Sequence, residues 1–378
     1  MTRICLSVLT ACIFLSTVAL GQDGAPPLVA TWNEFHSHNM QRWNQSETVL
    51  GTSNVHNLQL KWKFQTNAQA GSCPTIVNGV AYVGSDDGVL YALNINTGTL
   101  LWSYPTGGGE STPAVVGGTV YVGSWSGNVY ALNAGNGSLL WSFSTGNEVH
   151  SSPAVLNNVV YIGSNDGSLY ALDARTGAKL WNFVTGGNVF TSPSVLNGVV
   201  YFGSDDHNVY AVNATTGVKI WSYTTGAQVE SSPTVAGNAV YVGSFDGNIY
   251  SLSTSDGTKR WSFTTGDSIQ STPAVANGRV YVGSWDHKIY ALNASTGKKV
   301  WSVTTGALIV SSPAVANGVV YVGSWFPSGK NIYAINASSG AVLWTYDTGY
   351  YVWSSPSVVN GTLYIGSDTS FFYAFGLN

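Results

Sequence analysis

The stretch VYVGSWSGNVYALNAGNGSLLWSFSTG, residues 120–146, decides the fold, because close variants of it return along the whole chain. YVGSDDGVLYALNINTGTLLW (82–102), YIGSNDGSLYALDARTGAKLW (161–181) and YFGSDDHNVYAVNATTGVKIW (201–221) are three of them. The Trp of each copy falls at Trp62, Trp102, Trp141, Trp181, Trp221, Trp261, Trp301 and Trp344, at spacings of 39 to 43. A Ser/Thr-Pro mark also appears eight times, counting the variant Cys73-Pro74. A fixed period of this length is the first thing to interpret in a sequence, since it dictates architecture.

Each copy reads as four short strands. In the second copy STPAVV is strand A, TVYVGS is B, NVYALN is C and SLLWSFS is D. Asn78-Gly79, Asn197-Gly198 and Asn277-Gly278 stand between A and B, with Gly117-Gly118 in the second copy. Such pairs between apolar runs mark tight hairpins, because both positions accept φ > 0. Strand A is built of small residues and D carries the Trp, so each unit is a wedge, and wedges close into a ring. The sequence predicts an all-β, eight-bladed β-propeller of four-stranded blades. The last copy has A, B and C but ends at Asn378 without D, while LQLKWKFQT (58–66) is a D strand with no A, B or C before it. Joining them closes the eighth blade with an N-terminal strand and leaves no open edge.

Composition agrees. Charged residues make up 8% of the chain, against 44 Gly, 14 Trp, 21 Tyr and 13 Phe, a profile of strands and turns. The net charge of −4, with only 14 Lys and Arg, excludes the electrostatic footprint of a nucleic-acid or anionic-membrane binder. Residues 1–21 read as a secretory signal, not a transmembrane span, with Arg3 ahead of an apolar run and Ala19-Leu20-Gly21 at its exit. LTAC at 9–12 offers the alternative of a lipid anchor on Cys12. Residues 22–57 form an N-terminal extension and residues 58–378 the propeller. Export leaves Cys73 as the one cysteine of the mature chain, in a slot that is Ser or Thr elsewhere, so it reads as a buried small residue.

ALNAGNGSLLW (131–141) and its copies resemble the tryptophan-docking motif of the quinoprotein, PQQ-dependent alcohol dehydrogenases. The resemblance covers the chain from Leu58 to Asn378 and implies that Trp141, Trp181 and their equivalents pack on the backbone of the neighbouring blade. Each such indole buries about 150–250 Å², at most roughly 4–6 kcal/mol of hydrophobic stabilisation. The repeats are also similar to those of the propeller lipoprotein of the outer-membrane β-barrel assembly machine, a non-catalytic scaffold. The adjacent-cysteine disulfide of the methanol dehydrogenases and the Cys-x-x-Cys-His haem site of the quinohaemoproteins have no counterpart here. The blades also follow one another almost without insertions.

Function is sought where the copies disagree. The A–B and C–D turns share one face of the ring and are monotonous. The B–C turns and D–A links share the other, which holds the length changes at 106–110 and 325–329 and reads as the working surface. The residue before each Ser/Thr-x-Pro mark should approach the channel: Glu110, His150, Phe190, Glu230, Gln270, Val310 and Trp353. The residue after each Gly-Ser of strand B adds Asp86, Trp125, Asn165, Asp205, Phe245, Trp285, Trp325 and Asp368. An aromatic arc around Trp285, Trp325, Trp353 and Tyr350-Tyr351 is expected opposite an acidic arc from Asp86 to Asp205. Glu110, His150 and Glu230 would meet as a divalent-metal set only across a narrow channel, and His36-x-His38 is a weaker set. Asp87-Gly88, Asp166-Gly167 and Asp246-Gly247 read as turns and not as calcium loops.

The leading expectation is an exported, periplasmic or extracellular, monomeric and non-catalytic propeller that needs neither cofactor nor metal. It would bind a protein or a cell-surface glycan on its B–C/D–A face. The alternative is a compact dehydrogenase oxidising an alcohol or sugar with PQQ and calcium, its base and ligands drawn from Glu110, Glu230, Asp86 or Asp205.

Overall fold

A computed structural model describes residues 31–37, 40–109, 111–325 and 330–378. The expected signal and Cys12 lie outside these residues, as do His38 and Glu110. The described chain forms eight antiparallel four-stranded sheets, one of them extended by a short fifth strand. In blade 2 the strands are Ala114–Val116, Thr119–Gly123, Asn128–Asn133 and Leu139–Ser144. The others repeat this plan. Blade 8 takes Ser357–Val359, Thr362–Ser367 and Phe371–Gly376 from the C-terminal end, and Gln59–Gln65 pairs antiparallel with Phe371–Gly376 to complete it. Closure by an N-terminal strand is therefore what the structure shows.

Local chemistry explains the repeat. Asn78 (φ 50°) and Gly79 (φ 80°) form the left-handed pair that a two-residue hairpin requires. In every C–D pair the register slips just before the Trp, as between Leu139 and Trp141, and this bulge re-aims the indole toward the next blade. Trp102 donates its Nε1–H to the carbonyl of Ala134 at 3.0 Å and lies flat on Gly137, where an added Cβ would sit 2.5 Å from the ring. The same bond recurs from Trp62 to Ile95 and closes the circle from Trp344 to Leu58. Among the described residues the apolar core is divided into separate clusters. These fill the spaces between neighbouring blades, such as Tyr121, Val129 and Trp141 against Val160, Ile162 and Tyr170.

The N-terminal extension is a plug, which sequence pattern did not suggest. Strands A are only three residues long, and their inner edges would otherwise face the channel with unpaired backbone groups. Trp32 exchanges both backbone hydrogen bonds with Ile76 of blade 1, and the amide of Val115 in blade 2 donates to Asn33. Further round, Val275 donates to Gln41 and Val315 to Arg42, and Trp43–Asn44 runs parallel to Ala314–Ala316 of blade 7. The fully buried Arg42 guanidinium donates to the carbonyls of Pro313, Phe35, Ser312 and Pro356 and packs on the rings of Trp32 and Phe35.

Candidate functional site

The Ser/Thr-x-Pro mark builds the channel wall. Its first hydroxyl accepts from the strand-B glycine amide of its own blade, as Ser151 does from Gly163 at 3.0 Å, and in several blades it donates to the next blade, as Ser111 does to the carbonyl of Ser151. The second hydroxyl accepts the amide of the preceding blade. This relay runs from Thr112 to Ser152, Ser192, Ser232, Thr272, Ser312 and Ser355. Cys73 occupies the eighth place, and no such bond is found there among the described residues. Pro follows where no amide hydrogen is needed.

With the marks locked into a ring, the residue before each of them is held at the channel mouth. His150, Phe190, Glu230, Gln270, Val310 and Trp353 do line one central funnel, floored by the hydroxyl ring and by Phe35 of the plug, with about 550 Å³ of open space. Glu110, expected among them, lies outside the described residues.

The ionisable groups of the funnel are held by specific partners. Trp125 donates from Nε1 to His150 Nδ1 at 3.1 Å, and since indole is only a donor, His150 carries its proton on Nε2. That nitrogen donates to Glu148 at 2.8 Å, and the ring stacks on Phe190 at 4.8 Å. With both nitrogens engaged, His150 is a poor metal ligand. The described residues hold no group of three His, Cys, Asp or Glu suited to a metal ion. Glu230 accepts from Gln270 Nε2 at 2.9 Å, and burial, reinforced by Asp205, pushes its carboxyl up to about 7. His36 is buried in the plug, where burial and the charge of Arg42 push its imidazole down to about 3.

The expected opposition of an aromatic and an acidic arc does not hold. Ring closure puts blade 1 beside blade 8, so Asp86 and Asp368 line the same cleft as Trp325, Trp353, Tyr350 and Tyr351. On the far side, Trp125, His150 and Phe190 make a second aromatic run, and Phe245 packs on Trp285 at 5.3 Å. Asp86 and Asp368 are both pushed up to about 6, chiefly by burial, Asp86 also by Asp87 and Asp368 also by Asp86. Neither cavity is lined by Lys or Arg among the described residues.

The aspartates of the Asp-Gly turns have structural work. Asp166 Oδ2 accepts from Tyr170 at 2.6 Å and from the amide of Gly146 in the preceding link at 2.8 Å, while Oδ1 accepts from Ser168. Asp246 repeats the arrangement, and so does Asp206, which stands before His207 in the equivalent turn. They sit in turns, as the sequence predicts, and they also tie each blade to the link before it.

A family model described as outer membrane protein assembly factor BamB matches residues 53–115, 106–192, 184–271 and 261–372. Lupanine 17-hydroxylase [cytochrome c] from Pseudomonas sp is 29% identical over 102 residues, which is 26% of this chain and 15% of that protein. The chain thus spans a small part of that curated relative's length. BamB from Moraxella catarrhalis superposes with a TM-score of 0.72 at 18% identity, over 85% of this chain and 100% of that one. Quinohemoprotein alcohol dehydrogenase from Comamonas testosteroni gives 0.78 at 16% identity, over 92% and 80%. At these identities the two structures attest the fold. With four successive family matches running from residue 53 to residue 372, the chain belongs to the PQQ-like repeat propeller family of outer membrane protein assembly factor BamB.

Proposed function

We propose that this chain is a non-catalytic binding scaffold of the bacterial envelope or the extracellular space, engaging a protein or glycan partner through its B–C/D–A face. The observation that carries this reading is the distribution of aromatic side chains. Trp125, Phe190, Phe245, Trp285, Trp325 and Trp353 are all only half-buried and all stand on that one face, around a rigid plugged ring. Half-exposed aromatic clusters on a rigid frame are the usual anchors of recognition. The family's name-giving member is an assembly factor, which favours a protein partner.

The quinoprotein alternative fits the residues poorly. PQQ is a tricarboxylate, and its anionic groups need cations or strong donors. The funnel and the neighbouring cleft bring Glu230, Asp86 and Asp368, with Asp205 close by, and no Lys or Arg among the described lining residues. Such a site repels an anion. The channel axis is itself occupied by Phe35 and the plug.

Photo-crosslinking amino acids placed at Phe245 and Tyr350 on the loop face, and at Asn157 and Asn277 on the Asn-Gly face, test the reading in an exporting host. Partner adducts from the first pair alone are expected, and adducts confined to the second pair would contradict it. In parallel, a quinone absorbance retained after desalting from PQQ and calcium would establish the dehydrogenase instead.

A further inference from the structure

At the seam where the ring closes, two carboxylates share a cleft with a corner of aromatic rings. Asp86 follows strand B of blade 1 and Asp368 holds the equivalent place in blade 8; their amides are tied to the carbonyls of Gln69 and Tyr351 at 3.0 Å. One blade apart, the repeat points both side chains into a single cleft with about 560 Å³ of open space. Trp325 and Trp353 wall it at right angles, 88° between planes and 6.1 Å between centroids, and Tyr351 packs 5.0 Å from Trp325. Asp86 Oδ1 is buried and accepts no hydrogen bond among the described residues.

This geometry discriminates between ligands. A sugar stacks on one open ring plane, whereas rings meeting at a right angle present several negative faces to one compact cation. Two desolvated carboxylates without a counter-ion add potential of the same sign. Neutral hydroxyl groups would leave their mutual repulsion in place, and an ammonium group removes it. A guanidinium, being planar, would use one ring and one carboxylate and leave the others unmatched.

We propose that this cleft receives the side-chain ammonium of a lysine from a protein partner, with Asp86 and Asp368 as its charge partners and Trp325, Trp353 and Tyr351 as its cage. The proposal rests on the reading of the loop face as a docking surface and names the contact made there.

The test uses the full mature chain with indole nitrogens labelled, titrated by NMR with the peptide acetyl-Ala-Lys-Ala-amide and with its Nε-acetyl-lysine counterpart at physiological salt. The lysine peptide should shift the Trp325 and Trp353 indole signals saturably, and about tenfold more tightly than the uncharged peptide, as expected for a desolvated cation–π site. The double variant Asp86→Asn/Asp368→Asn should lose that preference while its remaining indole spectrum stays native. Equal affinity for the two peptides, preference for an arginine peptide, or no saturable shift of these two indoles would each overturn the proposal. If the lysine peptide gave no saturable shift while a glycan shifted the same two indoles, the lysine assignment would fall and the docking face would stand. Absence of crosslinks from the loop face would sink the wider reading separately.

Discussion

At the scale of the residue, the repeat depends on an indole lying where only a glycine fits. Trp102 rests on Gly137, which holds φ +72°, a conformation that side chains rarely adopt. Gly137→Ala adds both strain and a clash against the ring, and should lower stability by about 2–3 kcal/mol in denaturant titration. Trp141→Phe keeps an aromatic ring but loses the Nε1–H bond to Ala174 at 2.9 Å, and should cost about 1–2 kcal/mol. The milder effect of the second change would confirm that close backbone approach outweighs the hydrogen bond. The acidic cleft makes the opposite demand. Asp86 and Asp368 bind protons more tightly when folded, up to about 6, so their contribution is fully present near pH 4 and is lost as pH rises through 6. Asp86→Asn/Asp368→Asn should therefore match the wild type at pH 4 and exceed its stability at pH 8. The gain should be about 1 kcal/mol after allowance for solvent screening. Carboxylates kept at such a cost are consistent with a role in binding.

At the scale of the element, the hydroxyl relay and the plug hold the channel. The relay passes from Thr112 round to Ser355, and Thr112 Oγ1 is left buried without a partner next to the gap at Cys73. Cys73→Ser places a strong acceptor and donor in that gap and should raise the unfolding midpoint, by about 0.5–1.5 kcal/mol. A lowered midpoint would show that the thiol is retained for its packing. Below the relay, the plug replaces solvent for the inner strand edges and makes one body of eight wedges. Its segment carries positive φ at Ser37, Met40 and Arg42, none of them glycine. Such conformations persist only where the surroundings over-determine them, here through the four carbonyls that accept from Arg42.

At the scale of the whole molecule, buried ionisable groups of the plug shape the pH dependence of folding. Burial pushes the Glu34 carboxyl up to about 8, and it holds the His36 imidazole down at about 3 together with the charge of Arg42. Between pH 3 and 6.5 the unfolded chain binds more protons at His36, so stability rises with pH. Between pH 4.5 and 8 the folded chain binds more at Glu34, so stability falls with pH. The two trends oppose each other in the overlap. The plug groups by themselves give a plateau from about pH 4.5 to 6.5 and a decline toward pH 8, and the raised carboxyls of Asp86, Asp368 and Glu230 tilt that plateau downward with rising pH. Glu34→Gln should abolish much of the alkaline decline, measured by guanidinium unfolding at a series of pH values. A wild-type profile that keeps rising to pH 8 would contradict the neutral, buried Glu34.

Much of this was legible in the amino-acid order because the repeat is written in local chemistry. Asn-Gly pairs specify hairpins, the Trp–Gly spacing specifies docking, and a D strand without its own blade specifies closure; each rule acts within one repeat or between neighbours. The funnel lining followed from the same logic, since the Ser/Thr-x-Pro marks are identical and hold the residue before them at equivalent places. Residues 31–37 and 40–44 carry no period, and their hydrogen-bond partners are scattered over blades 1, 2, 3, 5, 6, 7 and 8, so no local rule could show that they fill the channel. Nor could spacing reveal that Asp86 and Asp368, near opposite ends of the chain, share a cleft with Trp325 and Trp353. Sequence by itself determined the wheel, because strand pairing and blade docking are short-range; only the tertiary structure decided what fills its axis and what meets at its seam, because ring closure brings together side chains that no periodicity connects.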